Sequence, residues 1–121
     1  MLKKFNHLAI AVKNIKKASE MYKHAFDAKV SSPKSYPGHG VKVVFVEMDN
    51  SKIELMEPLD NNSPISNFLK KHPDGGIHHI CVEVENIHKV RDNLIEKGFR
   101  ILGDGQPKIG AHDKLVLFLH P

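Results

Sequence analysis

The sequence predicts an α+β fold made of two β-α-β-β-β modules, the second lacking its last strand. Three features lead there. Residues 7–15 (His-Leu-Ala-Ile-Ala-Val-Lys-Asn-Ile) and 79–87 (His-Ile-Cys-Val-Glu-Val-Glu-Asn-Ile) align without a gap at an offset of 72 residues, an internal repeat of the kind that sets architecture. Each copy passes from an apolar strand into helical spacing. The apolar runs that follow, such as Val43-Val44-Phe45-Val46, have the length of strands. With 121 residues the chain falls in the single-domain range. We place one domain at 1–121, with module one at 1–59, a linker at 60–76 and module two at 77–121.

The elements follow in order. His7 to Val12 reads as the first strand, and Asn14 stands where a helix N-cap belongs, since its short amide can accept from an orphan backbone N–H. Ala18, Met21, Tyr22 and Ala25 have the i, i+3, i+4, i+7 spacing of one helix face. Strands are expected at 29–32, 41–48 and 52–57, the second being almost continuously apolar, as in a strand covered on both faces. Asp49-Asn50-Ser51 supplies turn chemistry between the last two. Within the linker, Ser63 and Pro64 open a short helix carrying Ile65, Phe68 and Leu69. Module two repeats the theme with a strand at 77–84, Asn86 as cap and a helix at 87–97 stopped by Gly98. Strands at 99–102 and 114–119 follow, and the chain then ends at Pro121.

Composition excludes several classes. Hydrophobic residues make up 40% and charged residues 26%, which is globular rather than disordered composition. The net charge of +4 comes from scattered lysines. It lacks the basic stripe interleaved with aromatics that marks a nucleic-acid binder, so no nucleic-acid partner is expected, and a diffuse positive field suits an anionic small molecule. No apolar run approaches the length needed to cross a bilayer, so no membrane partner is expected. Met1 to Phe5 lacks the apolar core of a secretion signal, and the one cysteine, Cys81, suits a reducing compartment. The expected location is the cytoplasm.

Of nine histidines, two are set apart by the repeat. His7 and His79 are equivalent positions, and like units packed about a pseudo-two-fold axis bring equivalent first strands together. Two imidazoles with one or two carboxylates form a divalent-metal set; a pair of core histidines left by duplication is the other reading. Glu54 is the carboxylate candidate, alone among apolar neighbours in Ile53-Glu54-Leu55-Met56. Such a residue is exposed, paired or metal-bound, and period-2 alternation does not settle which.

These stretches carry a resemblance. His7 to Val12, His39 to Val46, Ile53 to Leu59, Asn62 to Ile65, Gly75 to Cys81 and Ile109 to Lys114 resemble the methylmalonyl-CoA epimerases of the vicinal-oxygen-chelate (glyoxalase-like) superfamily. The likeness spans nearly the whole chain. The first-strand His motif is shared across the superfamily, whereas Glu54-Leu55-Met56-Glu57-Pro58-Leu59, Gly75-Gly76-Ile77-His78-His79-Ile80 and Leu119-His120-Pro121 are specific to the epimerase branch.

The resemblance implies two β-α-β-β-β modules around a divalent metal ion, cobalt by family likeness, held by His7, His79 and Glu54. It implies a fourth ligand, a glutamate a few residues beyond Leu-His-Pro, and the repeat offset likewise carries Glu54 to position 126, past Pro121. Some members carry a glutamate base where this chain has Val43, which moves the catalytic acid–base role to Glu54. The activity implied is epimerisation at C2 of methylmalonyl-CoA, so the expected partners are an acyl-CoA substrate and a second copy of the chain in a homodimer. Two alternatives stand beside it: a glyoxalase-I-like lyase on the same scaffold, and a catalytically impaired, truncated remnant acting as a folded binding domain.

Overall fold

The computed structural model describes residues 2–121 and divides into two compact units. One is Phe5–Val82; the other is Glu83–Pro121 with the residues up to Lys4. The first unit carries strand β1 (Leu2–Ala11), helix α1 (Ile15–Phe26), β2 (Lys34–Tyr36), β3 (Val41–Glu47), β4 (Lys52–Pro58), α2 (Pro64–Lys71) and β5 (Gly76–Val84), with the start of β1 and the end of β5 running a few residues past its limits. They build a five-stranded sheet in the order β2-β3-β4-β1-β5. β1 lies parallel to β4, with Ala9 beside Glu54. β3 runs antiparallel to β4, with Phe45 opposite Glu54.

Local chemistry explains the elements. Asn14 takes an extended conformation and accepts from Lys17 N, while Asp27 closes α1 in the left-handed region. Glu57 Oε1, at the end of β4, accepts a further N–H at the start of α1, from Ile15 at 3.3 Å. Ser63 caps α2 with Pro64 at its first turn, as the linker spacing predicts. β3 and β4 join through a turn in which Met48 N donates to Ser51 O.

The sheet has two different faces. On one, Val44, Val46 and Leu55 pack with Ile15 of α1, and Ile10, Val12, Ala18 and Tyr22 close around them. Removing each large side chain of that layer from water contributes roughly 1.5–3 kcal/mol. On the other, alternation and register place His7, Ala9 and Ala11 of β1 beside Glu54 and Met56 of β4 and Val43 and Phe45 of β3. All seven are buried.

In the other unit, α3 (Ile87–Glu96) begins at Asn86, whose side chain accepts from Lys89 N. Gly98, at φ +83°, turns the chain out of the helix. A hairpin of β6 (Lys108–Ile109) and β7 (Leu115–Val116) follows. Arg91 reaches from α3 to Gln106 Oε1 at 2.7 Å.

The α+β class stands, and several strand limits move. The strand expected at 29–32 is a single bridge, Val30 to Val46. Ser31 Oγ takes the Phe45 N–H at 2.8 Å and Pro33 has no N–H to give, so the ladder resumes only at β2. The strand expected at 99–102 is likewise one bridge, Ile101 to Leu119, flanked by Leu102 N to Phe118 O and His120 N to Arg100 O. Gly103 and Gly105, both at positive φ, bend the chain away at once. The strand expected at 114–119 shrinks to β7 and that bridge, and β7 pairs with β6, a strand not among those expected. On α1 the inward face is rotated from the expected one. Met21 is 53% exposed, and Ser19 goes inside because its hydroxyl donates to Ile15 O at 2.7 Å.

Candidate metal centre

His7, Glu54 and His79 all belong to the unit Phe5–Val82 and stand on three strands adjacent in the sheet, β1, β4 and β5. His7 points to the buried face because it shares its side of β1 with Ala9 and Ala11. Glu54 joins it because parallel pairing sets Ala9 directly beside it, and the small Ala9 side chain leaves the carboxyl room to lean toward the imidazole two residues back. Gly75 fixes the entry to β5. It sits at φ +81°, and a Cβ there would fall 2.5 Å from Ala11 O, so only glycine lets this strand start so close to β1.

One Glu54 oxygen lies 3.8 Å from His7 Nε2 and the other 3.9 Å from His79 Nε2. The two imidazole rings are 5.5 Å apart and nearly edge to face. A ligand atom from each residue lies within 4.8 Å of the others. Atoms each about 2.1 Å from a common ion stand roughly 3–4 Å from one another; the two His–Glu separations lie in that range, and two imidazoles with a carboxylate are donors suited to a divalent ion.

The surroundings are apolar and deep. The Phe45 and His7 rings meet nearly edge to face at 6.2 Å, and Lys52 Nζ lies over the Phe45 ring, 5.7 Å from its centre. Burial pushes the Glu54 carboxyl up from 4.5 to about 7, with the Lys52 charge pulling weakly the other way. Burial pulls His79 down from 6.5 to about 4, helped by the neighbouring His78 and His7 rings, and lowers His78 as well. His79 is therefore neutral at physiological pH, the form in which an imidazole ligates.

The structure thus brings together the three residues singled out in the sequence. Two neighbours escaped that reading. Asn6 Oδ1 lies 2.7 Å from His7 Nδ1, and His78 Nδ1 lies 2.8 Å from His79 Nδ1. The signal that would have found them is the repeat itself, in which Asn6 and His78 are equivalent positions.

Proteins of known activity are similar over nearly the whole length. Residues 6–118 match the family described as the Glyoxalase/Bleomycin resistance protein/Dioxygenase superfamily. The ethylmalonyl-CoA/methylmalonyl-CoA epimerase of Cereibacter sphaeroides is 54% identical over 121 residues, spanning 100% of this chain and 90% of that protein. The mitochondrial methylmalonyl-CoA epimerase of Dictyostelium discoideum is 52% identical over 118 residues, 98% of this chain and 70% of its own. The crystal structure of methylmalonyl-CoA epimerase from Mycobacterium tuberculosis has a TM-score of 0.91, covering 99% of this chain and 80% of that one; at 24% identity it is a likeness of fold.

Proposed function

The chain belongs to the Glyoxalase/Bleomycin resistance protein/Dioxygenase superfamily and, within it, to the methylmalonyl-CoA epimerases, and we propose that it interconverts the 2R and 2S epimers of methylmalonyl-CoA by proton transfer at C2. The observation that supports this at the level of the site is the convergence of His7, Glu54 and His79, ligand atoms within 4.8 Å of one another, on a buried sheet face.

In this reading the three residues hold a divalent ion, and cobalt is the ion we propose. Such an ion supplies a Lewis acid for the substrate oxygens, making the proton α to the thioester easier to remove. His7 and His79 are ligands only, held by their strands, and His79 is neutral at physiological pH. Glu54 is both ligand and acid–base group: it presents two carboxylate oxygens to the centre and exchanges a proton with C2 on its own face, taking it from one epimer and giving it in the reverse direction. The opposite face of C2 exchanges its proton with a second acid–base group, outside the set His7, Glu54 and His79. The walls formed by Phe45, Ala9 and Val43 keep water from the carbanionic carbon.

The remaining elements of the proposal are coarser. We read residues 1–121 as one domain of two modules. β5 is an outer strand of the five-stranded sheet, and an outer strand offers backbone groups for pairing, which supports a homodimer. No helix among the described residues is long and apolar enough to cross a membrane. The compartment we propose is a reducing cytoplasm, in keeping with a single cysteine; fractionation of the source cells separates this from the mitochondrial location named for the Dictyostelium relative.

The test is loss of the α-proton of methylmalonyl-CoA in deuterated water, followed by NMR with cobalt-loaded protein, alongside isomerisation of a glutathione hemithioacetal. Exchange on the CoA thioester alone is the expected result. Turnover of the hemithioacetal alone would make the chain a glyoxalase-like lyase, and no exchange by a folded, loaded sample would leave it a binding domain.

A further inference from the structure

Each imidazole of the centre is held at its Nδ1 by the residue immediately before it in sequence. Asn6 Oδ1 is 2.7 Å from His7 Nδ1; His78 Nδ1 is 2.8 Å from His79 Nδ1. Asn6 and His78 are themselves separated by the offset that relates His7 to His79. The duplication has therefore carried a two-residue unit, a ligand candidate and its preceding neighbour, onto both β1 and β5. We propose that Asn6 and His78 are repeat-related positioning residues that fix the tautomers of His7 and His79, keeping the proton on each Nδ1 and the lone pair on each Nε2. This deepens the proposed function and rests on its metal reading.

The chemistry is that of a neutral imidazole, which has one N–H and one lone pair; the nitrogen that carries the proton cannot ligate. The Nε2 atoms are the ones turned to Glu54, at 3.8 and 3.9 Å. An acceptor at Nδ1 selects the tautomer in which Nε2 turns its lone pair toward the centre, and it locks the ring plane at the same time. For His7 the acceptor is an amide oxygen, which never competes by donating. For His79 it is the Nδ1 lone pair of His78, so the His78 proton resides on its Nε2.

His78 needs support of its own, because a second ring that swivelled would release the first. That support comes from α2. The Phe68 ring meets His78 edge to face, with centres 5.1 Å apart at 80°, and His72 packs against Phe68 at 4.5 Å. A row of rings thus runs from α2 through His78 to His79, whose own ring is 5.1 Å from that of His78. Asn6 stands on β1 just before the stretch His7–Ala11 that pairs with β4.

The test reads the tautomers directly. Long-range proton–nitrogen correlation spectra of the metal-free protein, at about pH 8, report which nitrogen of each histidine carries hydrogen. The expected result is Nδ1–H for both His7 and His79. Asn6→Val and His78→Phe shift the corresponding ring to Nε2–H and weaken cobalt binding roughly 10–100-fold, whereas Asn6→Asp and His78→Asn, which keep an acceptor, retain both tautomer and affinity. Thermal melts of the metal-free variants show that each is folded. Nε2–H on both rings of the wild-type protein overturns the proposal whatever the variants do. So does an unchanged tautomer or unchanged affinity in Asn6→Val and His78→Phe. A wild-type protein that binds no cobalt yet shows Nδ1–H on both rings, lost in those variants, removes the metal reading and leaves the positioning intact.

Discussion

Phe45 and Glu54 are direct partners in the β3–β4 ladder, which sets an aromatic ring beside a buried carboxyl on the same side of the sheet. The same ring meets that of His7 nearly edge to face at 6.2 Å. One side chain therefore walls both a carboxylate and an imidazole of the centre.

Removing that wall costs packing and alignment together. Phe45→Ala is expected to destabilise the chain by about 3–5 kcal/mol, and Phe45→Leu by less than half of that, while cobalt affinity falls in both because the His7 ring loses its lateral stop. Urea denaturation and cobalt absorption titration measure the two effects. A loss under about 1 kcal/mol in Phe45→Ala would contradict this placement.

Glu54 makes the metal-free protein sensitive to pH. Its carboxyl rises from 4.5 to about 7 on folding, so the folded chain keeps a proton that the unfolded chain sheds between those values. That contribution to stability is complete below about pH 4.5 and is lost as pH rises through 7. Its size is on the order of 3 kcal/mol. Glu54→Gln, which cannot ionise, should gain on the wild type by that amount between pH 4.5 and 8 when both are unfolded with urea in chelator. Parallel stability curves would show that the carboxyl is not desolvated.

His79 works in the opposite sense. Its folded value of about 4 against 6.5 gives stability that is present above 6.5 and lost as pH falls through 4. With Glu54 replaced, this slope is exposed, and metal-free Glu54→Gln should become steadily less stable on acidification from pH 6.5. A flat curve for the variant would mean that His79 titrates normally.

Cobalt binding should release a proton from Glu54. Near pH 6 the metal-free carboxyl is protonated, and it must ionise to ligate; His79, already neutral there, gives up none. Isothermal titration in two buffers of different ionisation enthalpy should show about one more proton released per ion by the wild type than by Glu54→Gln, a difference that vanishes toward about pH 9. Equal release by the two proteins at pH 6 would remove Glu54 from the ligand set.

Gly75→Ala tests the entrance to β5. An L residue at φ +81° already costs roughly 1–2 kcal/mol, and the added Cβ would meet Ala11 O at 2.5 Å. Thermal and urea melts should show a loss larger than the backbone term alone; tolerance of the alanine would mean that β5 can start farther from β1.

Much of this was legible because the duplication is written in residues as well as in shape. Asn14 and Asn86 cap equivalent helices with almost the same backbone, φ/ψ of −138°/100° and −142°/105°, and the offset singles out His7 and His79 before any coordinates. The side taken by Glu54 was not legible. β4 is buried from Glu54 through Met56, so alternation carries no signal, and only the register with Ala9 and Phe45 decides. The strand breaks at Ser31-Pro33 and after Leu102 depend on a side-chain hydroxyl occupying a ladder site and on positive-φ glycines, which apolar runs do not reveal. Asn6 and His78 were visible as equivalents, but their bonds to the rings depend on side-chain direction.

The position of β1 between β4 and β5 has a consequence for how the chain assembles as it is synthesised. β1 leaves the ribosome before both of its neighbours, which do not exist until residues 52–58 and 76–84 have emerged. α1 and the β3–β4 hairpin can form from local contacts; β1 has to wait, and its pairing closes long loops on both sides. His7 is thus made early and seated late, and a nascent chain arrested before residue 76 would display its first strand to any other strand at hand.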